Sequence, residues 1–130
     1  MHYLTVWATC AYVERRVREP IDLDAMARAM GFSRPHLLAV FSRHYGQPLG
    51  CYIRSRRIAH AALDISRSDE TLLSIALRYQ FPGPDTFTRA FYRETGMTPS
   101  AFRRAKGQVG TRLLCTGMVG PSIVKKGMYP

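Results

Sequence analysis

The feature that most constrains the fold of this chain is an internal repeat of about fifty residues. Nine positions recur with an offset of 49 residues and, after the first aromatic pair, of 50 residues. Each copy reads as a short apolar segment, a turn and a longer amphipathic segment, which is typical of a helix-turn-helix unit. The matching pairs are Leu23 and Leu72, Met26 and Ile75, Ala27 and Ala76, Gly31 and Gln80, Phe32 and Phe81, Phe41 and Phe91, Gly46 and Gly96, Tyr52 and Phe102, and Arg54 and Arg104.

Apolar residues at steps of three or four predict helices along most of the chain, about seven in all, and therefore an all-α fold. Val6, Cys10, Val13 and Val17 share one face of a first helix over about residues 4–17, before Pro20. Between the two repeats, residues 49–66 keep the helical period and predict one long helix. A helix of this length acts as a spacer as well as a packing surface.

Polar residues at the expected helix starts indicate where the shorter helices begin, because their side-chain oxygens can accept first-turn N–H groups. The helix that Asp85 is expected to cap runs through Glu94, and the last helix ends near Lys106. A left-handed turn residue is expected within each repeat, where the second copy has Gln80 in place of glycine at a cost of about 1 kcal/mol. The predicted caps are Asp22, Ser33, Asp85 and Thr98.

These elements predict four segments. Residues 1–48 form a first helix-turn-helix subdomain, residues 49–66 the linker helix, and residues 67–106 a second helix-turn-helix subdomain. The remaining residues, 107–130, are glycine-rich and β-branched without a helical period, and we assign them no structure.

The charge of the chain predicts a polyanionic partner. Lys and Arg number 19 against nine Asp and Glu, and because only three are Lys, 16 are Arg. The planar guanidinium group suits phosphate and guanine. From residue 25 to residue 63 there are six Arg and no acid, and no acid follows Glu94. Such one-sign stretches indicate a contact surface for the polyanion, and the helix-turn-helix repeat makes double-stranded DNA the expected one.

Other classes of site are not supported by the sequence. Cys10, Cys51 and Cys115 are too few and too far apart for a disulfide framework or a zinc site, so a reducing cytoplasm is the expected location. His36 and His44 lack metal-ligand spacing. We predict no catalytic residue, metal or cofactor, and no membrane-spanning segment, because no apolar run approaches the required length.

The second helix of each repeat should bury one face and leave the other for DNA. Phe81, Phe87 and Phe91 are spaced to pack the second unit, whereas the opposite face of the same helix can enter a major groove. The three cations Arg54, Arg56 and Arg57 follow one another closely on the long helix. At least one of them should lie beside the core with its head group paired to a carboxylate.

The segments GFSRPHLLAVFSRHYG, LGCYIRSRRIAHAA, SIALRYQF and DTFTRAFYRETGMTPSAFRR resemble the AraC/XylS-type family of bacterial transcription regulators. The similarity covers residues 4 to about 106. Within the family it is greatest to the small stress and drug-resistance activators of the Mar, Sox, Ram and Rob type. The resemblance implies two helix-turn-helix units joined by one long helix, binding to DNA as a monomer, and recruitment of RNA polymerase.

The resemblance also implies which residues contact DNA. Arg89 is the expected principal base reader, and without DNA it could pair with Asp85 four residues earlier. The expected base-contacting residues are Arg89, Asp85, Thr88, Tyr92, Leu38, Ala39, Pro35 and Ser42. The expected phosphate-contacting residues are Ser33, Arg34, His36, Arg43, Arg54, Thr86, Arg93, Thr98 and Arg104.

The first recognition helix departs from the family pattern. The matching positions are Pro35, Leu38, Ala39 and Ser42, where close relatives place an aromatic residue, an amide and an Arg. Leu38 and Ala39 can touch a thymine methyl group but cannot form a bidentate hydrogen-bond pair with a base. One alternative is therefore a protein-interaction module that binds RNA polymerase or another regulator and DNA only non-specifically. A further alternative is a DNA-alkyl acceptor that uses a lone cysteine. No zinc-type cysteine cluster is present to activate any of the three thiols, and Cys51 lies in a helix that should be buried.

Overall fold

The computed structural model describes residues 2–105, and within them it contains seven α-helices and no strand, which confirms the all-α prediction. Lys106 and the predicted tail, residues 107–130, lie outside the described residues. The helices are α1 (His2–Glu14), α2 (Leu23–Ala29), α3 (Arg34–Tyr45), α4 (Leu49–Arg67), α5 (Leu72–Arg78), α6 (Pro84–Thr95) and α7 (Pro99–Arg104).

The internal repeat is visible in the helix lengths and in the turns. Helices α2 and α5 have seven residues each, and α3 and α6 have twelve each. The turn within each unit places one residue in the left-handed region, Gly31 at φ 80° and Gln80 at φ 72°. Helices α3 and α6 both end on a left-handed glycine, Gly46 or Gly96. The two units therefore share one backbone plan, as the sequence repeat predicts.

The buried side chains form one connected cluster that runs through both units. Helix α1 packs on α3, and α4 contacts α3, α5, α6 and α7. Four phenylalanine rings are in sequential contact in the second unit, with centroids 5.2 Å, 5.6 Å and 5.2 Å apart. Aromatic pairs at these separations add about 1 kcal/mol each beyond their buried area. The four rings are Phe81, Phe87, Phe91 and Phe102.

The first helix ends earlier than its apolar period predicts, at Glu14 instead of Val17. The backbone tightens there, because Arg16 N–H donates to the Val13 carbonyl three residues back, at 2.9 Å. The Val17 carbonyl oxygen accepts a hydrogen bond from the guanidinium group of Arg57 at 3.1 Å. Val17 is nevertheless buried, since the turn keeps it against the core.

The prediction that Asp85 caps α6 is wrong, whereas the other three predicted caps are confirmed. Gly83 is the N-cap of α6 and Pro84 takes the first helical position, so Asp85 lies inside the first turn. At that position the Asp85 carboxylate interacts favourably with the positive end of the helix dipole, but it does not cap the helix. The confirmed caps accept first-turn N–H groups at 3.0 to 3.3 Å. They are Asp22, Ser33 and Thr98.

Two glycines should respond in opposite ways to replacement by alanine. A Cβ at Gly50, in the first turn of α4, meets no atom within 4 Å, so Gly50→Ala should raise the free energy of unfolding by about 0.5 kcal/mol. Gly96 also has open space, but its φ is 80°, so Gly96→Ala should lower that free energy by about 1 kcal/mol. Urea denaturation of both variants measures the difference. If the free energy of unfolding changed in the same direction in both variants, the left-handed backbone of Gly96 would not be the cause of the difference.

Candidate nucleic-acid interface

Helix α6 divides cleanly into a buried and an exposed face. Phe87, Ala90 and Phe91 are buried in the core. The remaining side chains at steps of three and four point away from it, and Tyr92 is 58% exposed. All predicted DNA contacts on this helix are on the exposed face: Asp85, Thr86, Thr88, Arg89, Tyr92 and Arg93.

Several of these residues come together at one place on the surface. Thr98, at the start of α7, lies beside the exposed face of α6, and its hydroxyl group caps α7 by accepting the Ala101 N–H at 3.2 Å. A shallow depression is lined by five residues, all of them predicted to contact DNA: Thr88, Arg89, Tyr92, Arg93 and Thr98.

Arg89 is exposed and forms no ion pair with another described residue. The predicted pairing with Asp85 in the absence of DNA does not occur within residues 2–105. Asp85 also stays exposed in the first turn of α6. The guanidinium group is therefore available to a ligand without first breaking a salt bridge.

Helix α3 presents the equivalent face of the first unit, but its chemistry differs. Leu37, Val40 and Phe41 are buried. Leu38, predicted to contact bases, is half-buried and packs against the core. The other three predicted base contacts on α3 are exposed: Pro35, Ala39 and Ser42. This face therefore offers mostly apolar atoms, with one hydroxyl group.

The predicted phosphate contacts of the first unit surround that face. The Ser33 hydroxyl group caps α3 by accepting the His36 N–H at 3.3 Å. Arg34 pairs with Asp24 at 3.6 Å, and the His36 ring lies 4.6 Å from the Phe32 ring. One hollow is lined by three predicted DNA contacts and two further residues: His36, Ala39, Arg43, Val40 and His44.

The sequence predicts an ordinary polar or phosphate-contact role for His44, which is not among the contacts assigned by resemblance. It follows Arg43 in the last turn of α3 and lines the same hollow. A histidine next to a cation on an exposed helix end is common in sequences, so the sequence contains no signal that would separate it from an ordinary surface residue.

The remaining predicted phosphate contacts, Arg54 and Arg104, lie outside the two recognition helices. Arg104 is exposed in the last turn of α7, and Arg54 is half-buried on α4. Neither forms an ion pair with a described residue, so both side chains can approach a phosphate.

Arg56 and Arg57 have structural partners. Arg56 is 7% exposed and donates to both carboxylate oxygens of Glu14, from Nε and from Nη2, each at 2.8 Å. This pair confirms the prediction that one of three nearby arginines lies beside the core and meets a carboxylate. Arg57 donates to backbone carbonyls, including that of Glu19 at 2.8 Å.

The cysteine thiols within residues 2–105 are poor candidates for nucleophilic chemistry. Burial raises the pKa of the Cys10 thiol, and the hydrogen bond with Tyr52 lowers it only in part. A raised pKa reduces the thiolate fraction at neutral pH. Cys51, expected to be buried on α4, is half-buried, and Cys115 lies outside the described residues.

Within residues 2–105, no three histidine, cysteine or acidic side chains are grouped so that they could hold a metal ion. In the same range, no helix combines the length and the apolar character needed to cross a membrane.

A family model described as a helix-turn-helix domain matches residues 26–105. The right origin-binding protein of Escherichia coli K12 is 36% identical over 94 residues, which cover 72% of this chain and 32% of that protein. The multiple antibiotic resistance protein MarA of the same organism is 31% identical over 111 residues, covering 85% of this chain and 87% of MarA. The transcriptional activator AarP of Providencia stuartii is 36% identical over 92 residues, covering 71% and 68%.

The fold is shared with two solved structures. A transcriptional regulator from Chromobacterium violaceum with an AraC-type DNA-binding domain superposes with a TM-score of 0.77 at 21% identity, over 82% of this chain and 95% of that one. The C-terminal domain of the response regulator AraT from Geobacillus stearothermophilus gives a TM-score of 0.72 at 19% identity, over 78% and 85%.

Proposed function

This chain belongs to the AraC/XylS-type family of helix-turn-helix transcription regulators, and from that membership we propose that it binds duplex DNA in a sequence-specific manner and activates transcription. The observation that supports the proposal best is the exposed face of α6, where Arg89 has no ion-pair partner among the described residues. A helix fits the width of the major groove, and an Arg there can bond to guanine O6 and N7 together.

We further propose that one chain binds two adjacent major-groove segments. Helix α4 has 19 residues, which at a rise of about 1.5 Å per residue is close to 29 Å. That length is comparable with one turn of B-DNA, about 34 Å, which separates the half-sites of dimeric helix-turn-helix proteins. Two units in one chain then replace a dimer. The DNA site should be asymmetric, and each site should bind one protein chain.

In this role the chain catalyses no reaction and contacts RNA polymerase at the promoter, in the cytoplasm where both are found. The similarity to the multiple antibiotic resistance protein makes drug-resistance genes candidate targets. The alternative of a protein-interaction module with only non-specific DNA binding draws on the apolar face of α3. The relative AarP is a transcriptional activator, which favours a regulatory role over this alternative.

The test is selection of bound duplexes from a random pool, followed by competition with unrelated duplex at moderate salt. Specific binding predicts an enriched motif that resists competition, because contacts to bases add to those with phosphates. Light scattering of the complex should give one chain per duplex. If unrelated duplex competes as effectively as the selected duplex, the result would favour the protein-interaction module.

The two recognition helices should differ in what they specify. Arg89→Ala should weaken binding to the selected duplex by about 1 to 3 kcal/mol and relax the preference at one base position. Leu38→Ala should change little beyond a preference for thymine. Fluorescence anisotropy with duplexes substituted at each position measures both effects. Arg15→Ala removes the same charge from an exposed position outside both recognition helices and serves as the control. Large and equal losses from Arg89→Ala and Leu38→Ala would contradict the asymmetry.

A further inference from the structure

The turn between α1 and α2 is held by side chains from two later parts of the chain. Three consecutive carbonyl groups accept hydrogen bonds there. Arg57, on α4, donates from Nε to the Val17 carbonyl at 3.1 Å and from Nη2 to the Glu19 carbonyl at 2.8 Å. Between them, the Arg18 carbonyl accepts from Nε2 of Gln80 at 2.9 Å. Gln80 lies in the turn of the second helix-turn-helix unit, 62 residues away.

The end of α5 shares an ion-pair partner with Arg18, which lies in the same turn. The Arg18 guanidinium group is 3.8 Å from the Asp64 carboxylate, which also accepts from Arg78 at 2.9 Å and from the Tyr79 hydroxyl group at 2.7 Å. Burial and the bond to Asp64 raise the pKa of Tyr79 to about 12. Residues 78 to 80 therefore all face Arg18 or its partner.

Gln80 has a backbone conformation that a glutamine rarely takes. Among the described residues it is the only non-glycine residue with a positive φ. At the equivalent turn of the first unit, Gly31 has a similar φ and no atom within 4 Å of where a Cβ would lie. Glycine would suit the second turn equally well, but it could not reach the Arg18 carbonyl.

We propose that Gln80 is a positioning residue that fixes the orientation of α6 relative to α3 by joining the second turn to residues 17–19. The inference rests on the proposed function, because orientation matters when two recognition helices bind one DNA site. A fixed orientation raises the effective concentration of the second helix once the first is bound. Helix α4 sets the distance between the units, and the bond from Gln80 restrains their rotation about it.

Two substitutions separate the side-chain bond from the backbone effect. Gln80→Met keeps the length of the side chain and removes the donor, whereas Gln80→Gly removes the donor and relieves the left-handed backbone. Both should weaken binding to the complete selected duplex by about tenfold, because the two helices no longer act together. Binding to duplexes with one half scrambled should change by less than about twofold, since a single helix needs no fixed orientation.

Residual dipolar couplings of the free full-length chain test the same point without DNA. In the parent, the amide groups of α3 and α6 should fit one alignment tensor; in both variants the fit to a single tensor should be measurably worse. A fit as good as that of the parent in both variants would overturn the proposal. A worse fit in Gln80→Met together with a parent-like fit in Gln80→Gly would also overturn it. The left-handed backbone, and not the lost hydrogen bond, would then be responsible for the change in orientation. If the parent selects no sequence, the proposed function fails, while the dipolar couplings still decide the role of Gln80.

Discussion

Raising the salt concentration from about 50 mM to about 200 mM is expected to weaken DNA binding by roughly 500-fold. Five of the proposed phosphate contacts are arginines, and each neutralised phosphate releases about 0.9 counterion, which gives a slope of about −4.5 in a plot of log affinity against log salt. The five are Arg34, Arg43, Arg54, Arg93 and Arg104.

Titration of a labelled selected duplex at several salt concentrations measures that slope. Arg93→Ala removes one exposed cation from α6 and should reduce its magnitude by about 0.9. Arg15→Ala, outside the proposed interface, should leave it unchanged. A flat profile up to physiological salt would refute the electrostatic part of the proposed interface, and equal slopes for the two variants would place the contacts elsewhere.

The largest expected effect on stability is that of Glu14→Ala, which should lower the free energy of unfolding by about 3 kcal/mol. Arg56 is 7% exposed, and its two bonds to Glu14 are both 2.8 Å. Removing the carboxylate leaves a buried guanidinium charge without this partner. His60 also contacts the same carboxylate from one turn further along α4. Urea denaturation of the parent and the variant gives the difference.

The double variant Glu14→Leu with Arg56→Met is the matched control. Replacing both charges by apolar side chains removes the desolvation cost together with the attraction, so its stability should lie within about 1 kcal/mol of the parent. A Glu14→Ala variant as stable as the parent would mean that water solvates Arg56 in its place.

The same ion pair should make stability depend on pH. Burial raises the pKa of Glu14, but hydrogen bonds from Arg56 and His60 outweigh it, and the net pKa lies below the ordinary 4.5. Because the folded state has the lower pKa, this stabilisation is present above about pH 4.5 and is lost as the pH falls through the folded value. Glu14→Gln should remove that part of the acid dependence, and an unchanged acid profile would contradict it.

The sequence is sufficient to predict most of the helices but not the contacts that join them. Periodicity locates the core positions of α4 because a helix repeats its face every three or four residues. Caps at Ser33 and Thr98 follow from local chemistry. Asp85 is mispredicted because Pro84 can itself occupy the first helical position and displaces the cap to Gly83.

Long-range partners are a different matter. A carboxylate beside one of Arg54, Arg56 and Arg57 is predictable, but neither Glu14 nor the choice of Arg56 is, since the pair is separated by 42 residues. The bond from Gln80 to Arg18 spans 62 residues and is likewise invisible in any local pattern. The expected DNA contacts on α6 follow from the resemblance, and for them the structure adds exposure and the depression that they line.

The sharing of α4 limits how this protein can be divided or recombined. The sequence of the chain contains two repeats, but the two repeats are not interchangeable modules, because α4 covers the core of both. A gene fragment ending after Arg67 would encode an α4 whose contacts with α5, α6 and α7 are missing. A fragment starting at Leu72 would lack α4 altogether. An exchange between relatives that brings in a new second repeat must therefore also bring the face of α4 that fits it.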